Sequence, residues 1–197
     1  MGEYYNISHE YVPLDMAPDS VDDAYSTYTK EMSRQVLSKY ITNEQSSNAA
    51  FKKAWNRALN SNKHKNPGNG KPRDLKFSCV AGVFYYHVLH FLLTDSFKHQ
   101  GKCVTTYRGT KLDFDTDVIQ KEIRFHSFTS TSFSRHGVTN FGKKSCFVIE
   151  TCHGAALGNF FNLPQEEEVL IPPYEKFKVE SIKLNDWCDV VYTLNLS

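Results

Sequence analysis

A change of hydrophobic period partway along the chain limits its fold more than any other feature. Before Gly101 the apolar residues recur at three- and four-residue spacing, and after it they alternate. Helical pattern first and strand pattern second argues for an α+β domain, with a helical amino-terminal half packed on a strand-rich carboxy-terminal half, rather than repeated βαβ units. Ser20 is placed to cap a helix carrying Val21, Ala24, Tyr25, Tyr28 and Met32, with Asp23 completing a capping box. A second amphipathic helix carries Phe51, Ala54, Trp55, Ala58 and Leu59. Residues 62–73, with Asn-Pro-Gly-Asn-Gly and several lysines, have the composition of an exposed loop away from any chemistry. Residues 80–93 are apolar on nearly every side, which in a helix means the centre of a core. His87 and His90 lie there three apart, but no third ligand is nearby, so a structural role is expected of both. Strands are expected at 103–107, 122–133, 144–151, 167–171, 177–184 and 188–196.

A chain of 197 residues with 40% hydrophobic and 14% aromatic content supports one buried core, so residues 1–197 are expected to form a single domain. Lys and Arg total 23 against 22 Asp and Glu, and a net charge of +1 draws the protein to neither nucleic acid nor an anionic membrane. Any polyanion must be bound locally. No apolar stretch approaches the roughly 20 residues of a membrane span, and no leader pattern opens the chain, as expected of a soluble protein or the mature domain of a secreted one. The five cysteines contain no CxxC pair, and no metal site is expected. Cys103 sits just before the Arg108 strand end and Cys152 follows the next long strand, so adjacent strands would bring them together and a Cys103–Cys152 bridge is expected. Cys146–Cys188 is allowed, and Cys79 is expected to be unpaired. Asn6-Ile7-Ser8 and Asn195-Leu196-Ser197 are glycosylation sequons.

Three segments of the strand-rich half do not read as ordinary core. In Thr106-Tyr107-Arg108-Gly109-Thr110, a guanidinium stands beside backbone free to approach a ligand, which suits a pyrophosphate; a surface or ion-pairing arginine is the plainer alternative. In Phe128-Thr129-Ser130-Thr131-Ser132, alternation puts Ser130 and Ser132 on one face and the threonines on the other. No nucleophile elbow or Ser-His-Asp arrangement accompanies them, so a positioning serine or an exposed sheet edge is expected. The third segment, Gln165 to Pro173, runs Glu166-Glu167-Glu168 directly into an apolar strand. In an extended chain Glu166 and Glu168 share a face, and the last of them is held at the edge of the core, where catalytic carboxylates tend to sit.

Arg108, Ser130-Thr131-Ser132 and Glu166-Glu167-Glu168 together resemble the R-S-E signature of arginine-specific mono-ADP-ribosyltransferases, especially the vertebrate ecto-enzymes. The resemblance covers most of the chain. Leu14-Asp15-Met16-Ala17-Pro18, Ile123-Arg124-Phe125 and Thr151-Cys152-His153-Gly154-Ala155 follow in the family's order. It implies a β-sandwich core and NAD as co-substrate, with transfer to protein arginine or a small guanidino compound, no metal, and an extracellular or cell-surface setting. Arg108 would hold the phosphate and ribose region, and Gly109 would let backbone approach the nicotinamide amide. Ser130 would position the ribose and Glu168, Phe141 would stack on nicotinamide, and Ser127 falls where many relatives carry a Gln near the cofactor.

Cleaving the bond between ribose and nicotinamide develops positive charge on the ribosyl carbon, which the Glu168 carboxylate would oppose. Glu166 would align the acceptor guanidinium and take its proton, and in this family Glu at that position goes with arginine transfer. Phe160 and Phe161, adjacent in a Gly-, Asn- and Pro-flanked loop, are expected to place at least one ring at the acceptor site, the alternative being that both pack under the sheet. Tyr28 stands where relatives carry a cysteine whose partner, near the far end, is also absent. The stretch between Trp55 and Val80 is short for the family and lacks a segment that supplies a Tyr near the adenosine. An NAD glycohydrolase and a catalytically silent NAD- or protein-binding relative are the alternative functions.

Overall fold

The structure is a computed structural model that describes residues 11–20, 23–49, 51–53, 55–56, 90–91, 94–95, 102–156 and 167–197. The loop at 62–73, His87, Cys79 and most of the segment at 80–93 lie outside the described residues. Helix α1 (Thr29–Gln35) continues through a π-helical segment (Val36–Tyr40) into α2 (Ile41–Ser47). The expected Ser20 cap is not used. Asp23 Oδ1 instead accepts the Tyr25 N–H at 2.7 Å, and Tyr25 adopts a left-handed φ of 51°. This local side-chain bond competes with the helical ladder and delays the helix to Thr29. Tyr25 still reaches the core: with Val36, Ile41, Phe51 and Phe91 it forms a buried cluster against which Met32, Tyr40 and Trp55 pack.

Eight strands follow among the described residues: β1 (Val104–Thr110), β2 (Glu122–Ile123), β3 (Thr129–Ser132), β4 (Ser145–Thr151), β5 (Ala155–Ala156), β6 (Glu168–Ile171), β7 (Phe177–Leu184) and β8 (Val190–Leu196). They hydrogen-bond in the order β2-β7-β8-β4-β1-β3-β6-β5. Among the pairings of these described strands β4 and β8 run parallel and the rest are antiparallel. The strand expected at 122–133 is two strands. Ile123 pairs with Phe177, whereas Thr129 pairs with Ile171 at the other end of the sheet.

Phe147, Ile149, Phe177, Val179, Tyr192 and Leu194 form the main core, with Phe147 stacked on Tyr192 at 5.0 Å. Each buried ring or branched chain stabilises by roughly 1.5–3 kcal/mol. Two disulfides tie the sheet, Cys103 to Cys152 as expected and Cys146 to Cys188 as allowed. The two halves meet through His90, whose Nδ1 lies 3.0 Å from the Tyr25 hydroxyl and whose ring contacts Phe128. That is the structural role expected of His90. Arg124 binds the Met16 and Ala17 carbonyls, holding the amino-terminal segment against the sheet.

Candidate active site

The β3 hydroxyls divide as alternation requires. Thr129 and Thr131 are buried, and Thr131 Oγ1 donates to the Val169 carbonyl at 2.8 Å. Ser130 is exposed on the other face. In the β3–β6 ladder Ser132 lies opposite Glu168 and Ser130 opposite Leu170, so Ser130 and Glu168 are diagonal neighbours, a spacing that side chains can span. The Ser130 hydroxyl donates to Glu168 Oε1 at 2.5 Å, within the range for a hydroxyl on a carboxylate. Arg108, on β1, is half-buried, and its Nη1 donates to the Ser130 carbonyl at 2.8 Å. Burial pulls the guanidinium pKa down, though it stays a cation at neutral pH. Ser130 therefore joins the cation through its backbone and the carboxylate through its side chain.

Gly109 lies against backbone of its own chain. A Cβ there would meet the Val138 carbonyl oxygen at 2.4 Å and that of Gly142 at 2.5 Å, so the missing side chain admits protein backbone. Gly142 reciprocates: at φ +154° its own Cβ would fall 2.2 Å from the Thr110 carbonyl carbon. The two glycines clamp the end of β1 to the turn after α3 (Arg135–Val138). That turn presents Phe141, whose N–H donates to the Val138 carbonyl and whose side chain is 73% exposed. Arg135 lies over the Trp187 ring at 5.7 Å, and Trp187 meets Tyr107 edge-on, which braces α3 from the β7–β8 connection. Ser127 is exposed, and its carbonyl accepts the Thr129 hydroxyl.

Glu167 changes the reading of the acidic run. Its φ is 43°, and its carbonyl accepts the Phe133 N–H at 3.0 Å. The chain is not extended there, so alternation cannot assign Glu166 to the face of Glu168. Glu166, Phe160 and Phe161 lie outside the described residues. Among the described residues no group of three or more His, Cys, Asp or Glu is placed to hold a metal ion, and no helix is long and apolar enough to cross a membrane.

One buried carboxylate escaped the sequence reading. Glu175, 2% exposed, follows Pro172-Pro173-Tyr174 between two apolar strands, and an acid in so apolar a turn is the signal that could have marked it.

Known proteins resemble this chain in sequence and in fold. The sequence model described as "NAD:arginine ADP-ribosyltransferase" matches residues 75–191. NAD(P)(+)--arginine ADP-ribosyltransferase 2 of Gallus gallus is 32% identical over 85% of this chain, and the chain spans 64% of that protein's length, less than two thirds. Ecto-ADP-ribosyltransferase 4 of Homo sapiens is 28% identical over 94% of this chain and 71% of its own. The crystal structure of the mono-ADP-ribosyltransferase ART2.2 superposes with a TM-score of 0.74 at 26% identity, covering 92% of this chain and 93% of that one. An ART2.2 variant in complex with NAD shares the fold with a TM-score of 0.70 at 24% identity, at the same coverage. With the family model matched across more than half its length, the chain belongs to the NAD:arginine ADP-ribosyltransferase family.

Proposed function

We propose that residues 1–197 form one catalytic domain, a mono-ADP-ribosyltransferase that moves ADP-ribose from NAD to the guanidino group of arginine and releases nicotinamide. The observation that carries this reading is the pair of bonds at Ser130, one to Arg108 and one to Glu168. A cation suited to phosphate and a carboxylate suited to a developing ribosyl cation are thereby referenced to one residue. The bond between the ribosyl carbon and nicotinamide breaks, and its electron pair leaves with nicotinamide. Glu168 accepts the ribose 2′-hydroxyl hydrogen bond and opposes the positive charge on the carbon. A guanidino nitrogen then forms the new bond and loses its proton. Glu166 takes that proton, a role that rests on the family resemblance.

Phe141 is exposed on the clamped turn, as stacking on nicotinamide requires, and Ser127 is exposed beside β3. At the acceptor, Phe160 or Phe161 would stack on the guanidinium. Two disulfides support an extracellular or cell-surface setting, where such bonds persist. The test is nicotinamide release from NAD with and without agmatine, together with Glu166→Gln. The expected result is ADP-ribosyl-agmatine from the wild type, and loss of transfer with retained NAD hydrolysis in the variant. Hydrolysis without transfer in the wild type would make the protein an NAD glycohydrolase. No nicotinamide release would make it a binding module.

A further inference from the structure

Glu175 lies outside the chemistry just described, yet among the described residues the hydrogen-bond partners of its carboxylate are donors. Oε2 accepts the Thr151 hydroxyl at 2.5 Å, and Oε1 accepts the N–H groups of Cys152 at 2.7 Å and His153 at 3.0 Å. The Thr151 oxygen in turn accepts the Gly154 N–H at 2.9 Å. Its own hydrogen must therefore point to Glu175. A buried carboxylate facing hydroxyl and backbone donors is an anchor for the turn that supplies them.

That turn, residues 151–154, touches both strands that carry the charged groups of the site. Cys152 is bonded to Cys103, which precedes β1 and Arg108. Gly154 packs so closely that a Cβ would lie 2.9 Å from Val169 Cγ1, the residue after Glu168. Directly beyond it, β5 pairs with β6, Ala155 opposite Leu170 and Ala156 opposite Val169. Strand β6 is thus held on one flank by β3 and on the other by β5, which enters the sheet straight from the turn. A strand that starts at the turn takes its place from whatever fixes that turn.

We propose that Glu175 is a positioning residue for Glu168: by anchoring the 151–154 turn it seats β5 and fixes the outer flank of the strand that presents the catalytic carboxylate. This rests on the proposed transfer reaction.

The test is Glu175→Gln in this chain, which keeps the shape but turns an NH2 group towards donors. NAD hydrolysis and agmatine transfer should both fall in kcat by at least about 10-fold, with KM for NAD within about twofold, because Arg108 is untouched. Amide exchange should accelerate in 152–156 and 168–171 and stay unchanged in β7 and β8. Thr151→Val should reproduce the defect without adding to it in the double variant, and Thr151→Ser should restore kcat relative to Thr151→Val. Thr151→Val carries the same readouts if Glu175→Gln fails to fold. A folded variant with kcat within twofold of wild type overturns the proposal, as does exchange that accelerates evenly across the sheet. If the wild type releases no nicotinamide, the reaction assignment fails, and the exchange pattern still decides whether Glu175 braces β6.

Discussion

Ser130 and Glu168, 38 residues apart in the chain, are joined by a 2.5 Å hydrogen bond across a diagonal of the β3–β6 ladder. The buried Thr131 bond to the Val169 carbonyl locks the register that makes this diagonal. A one-residue slip would send Ser130 to the other face. Glu168→Gln should therefore lower NAD cleavage by on the order of 10² with folding intact, through loss of a charge needed only in the transition state. Ser130→Ala should cost about 10-fold, the worth of a hydrogen bond to a charged group. Steady-state nicotinamide release checks both, and half-activity in Glu168→Gln would remove it from the chemistry.

Arg108 is predicted to act on NAD binding. Its Nη1 bond to the Ser130 carbonyl fixes the guanidinium plane and leaves other donors for a phosphate. Lysine keeps the charge but not the fork, so Arg108→Lys should raise KM for NAD by about 10-fold with a smaller change in kcat. Equal losses in both parameters would point to a role in the reacting centre instead.

The glycine clamp and the ring it presents should separate cleanly. Gly109→Ala drives a methyl group into backbone oxygens that cannot rotate away, and should destabilise the fold by about 1–3 kcal/mol as well as weaken NAD binding. Gly142→Ala should be worse, because its φ of +154° is also unfavourable for a side chain. Phe141→Ala, at an exposed position, should raise KM for NAD and leave the urea midpoint unchanged. A stable Gly109→Ala with normal KM would show that the turn is not held by this contact.

Alkaline pH should unfold the protein through its buried tyrosines. Burial pushes the Tyr192 hydroxyl up to about 12, and it donates to the Phe114 carbonyl at 2.9 Å; Tyr25 and Tyr174 are likewise pushed up to about 12, first by burial. Below the unfolded value of about 10 both states hold the proton, and this stabilisation is fully present. Above it the unfolded chain binds fewer protons, so stability falls from pH 10 towards pH 12. Urea midpoints should hold between pH 8 and 9 and drop by pH 11, with a shallower drop in Tyr192→Phe. A flat midpoint to pH 11 contradicts this.

Local chemistry was enough for the sequence to determine a good deal of this protein. The 177–184 strand was legible to the residue because Phe177 and Val179 face a core and Lys178 and Glu180 face water. The alternation of Thr129-Ser130-Thr131-Ser132 and the Cys103–Cys152 pairing were legible for the same reason, a period of two and a neighbouring strand. What it could not decide depended on partners far along the chain. The apolar pattern from 122 to 133 is continuous, but Ile123 finds Phe177 and Thr129 finds Ile171, and only those distant pairings break it. At Asp23 an Asx bond two residues long outcompeted a helix that propensity alone allowed. Val138 and Gly142 come to fill the space beside Gly109 only in the fold, and Glu175 acquired its donors only when the ends of β4 and β6 came together. A side chain's period is written in its neighbours, whereas what fills the space beside it is set by backbone that returns from elsewhere in the fold.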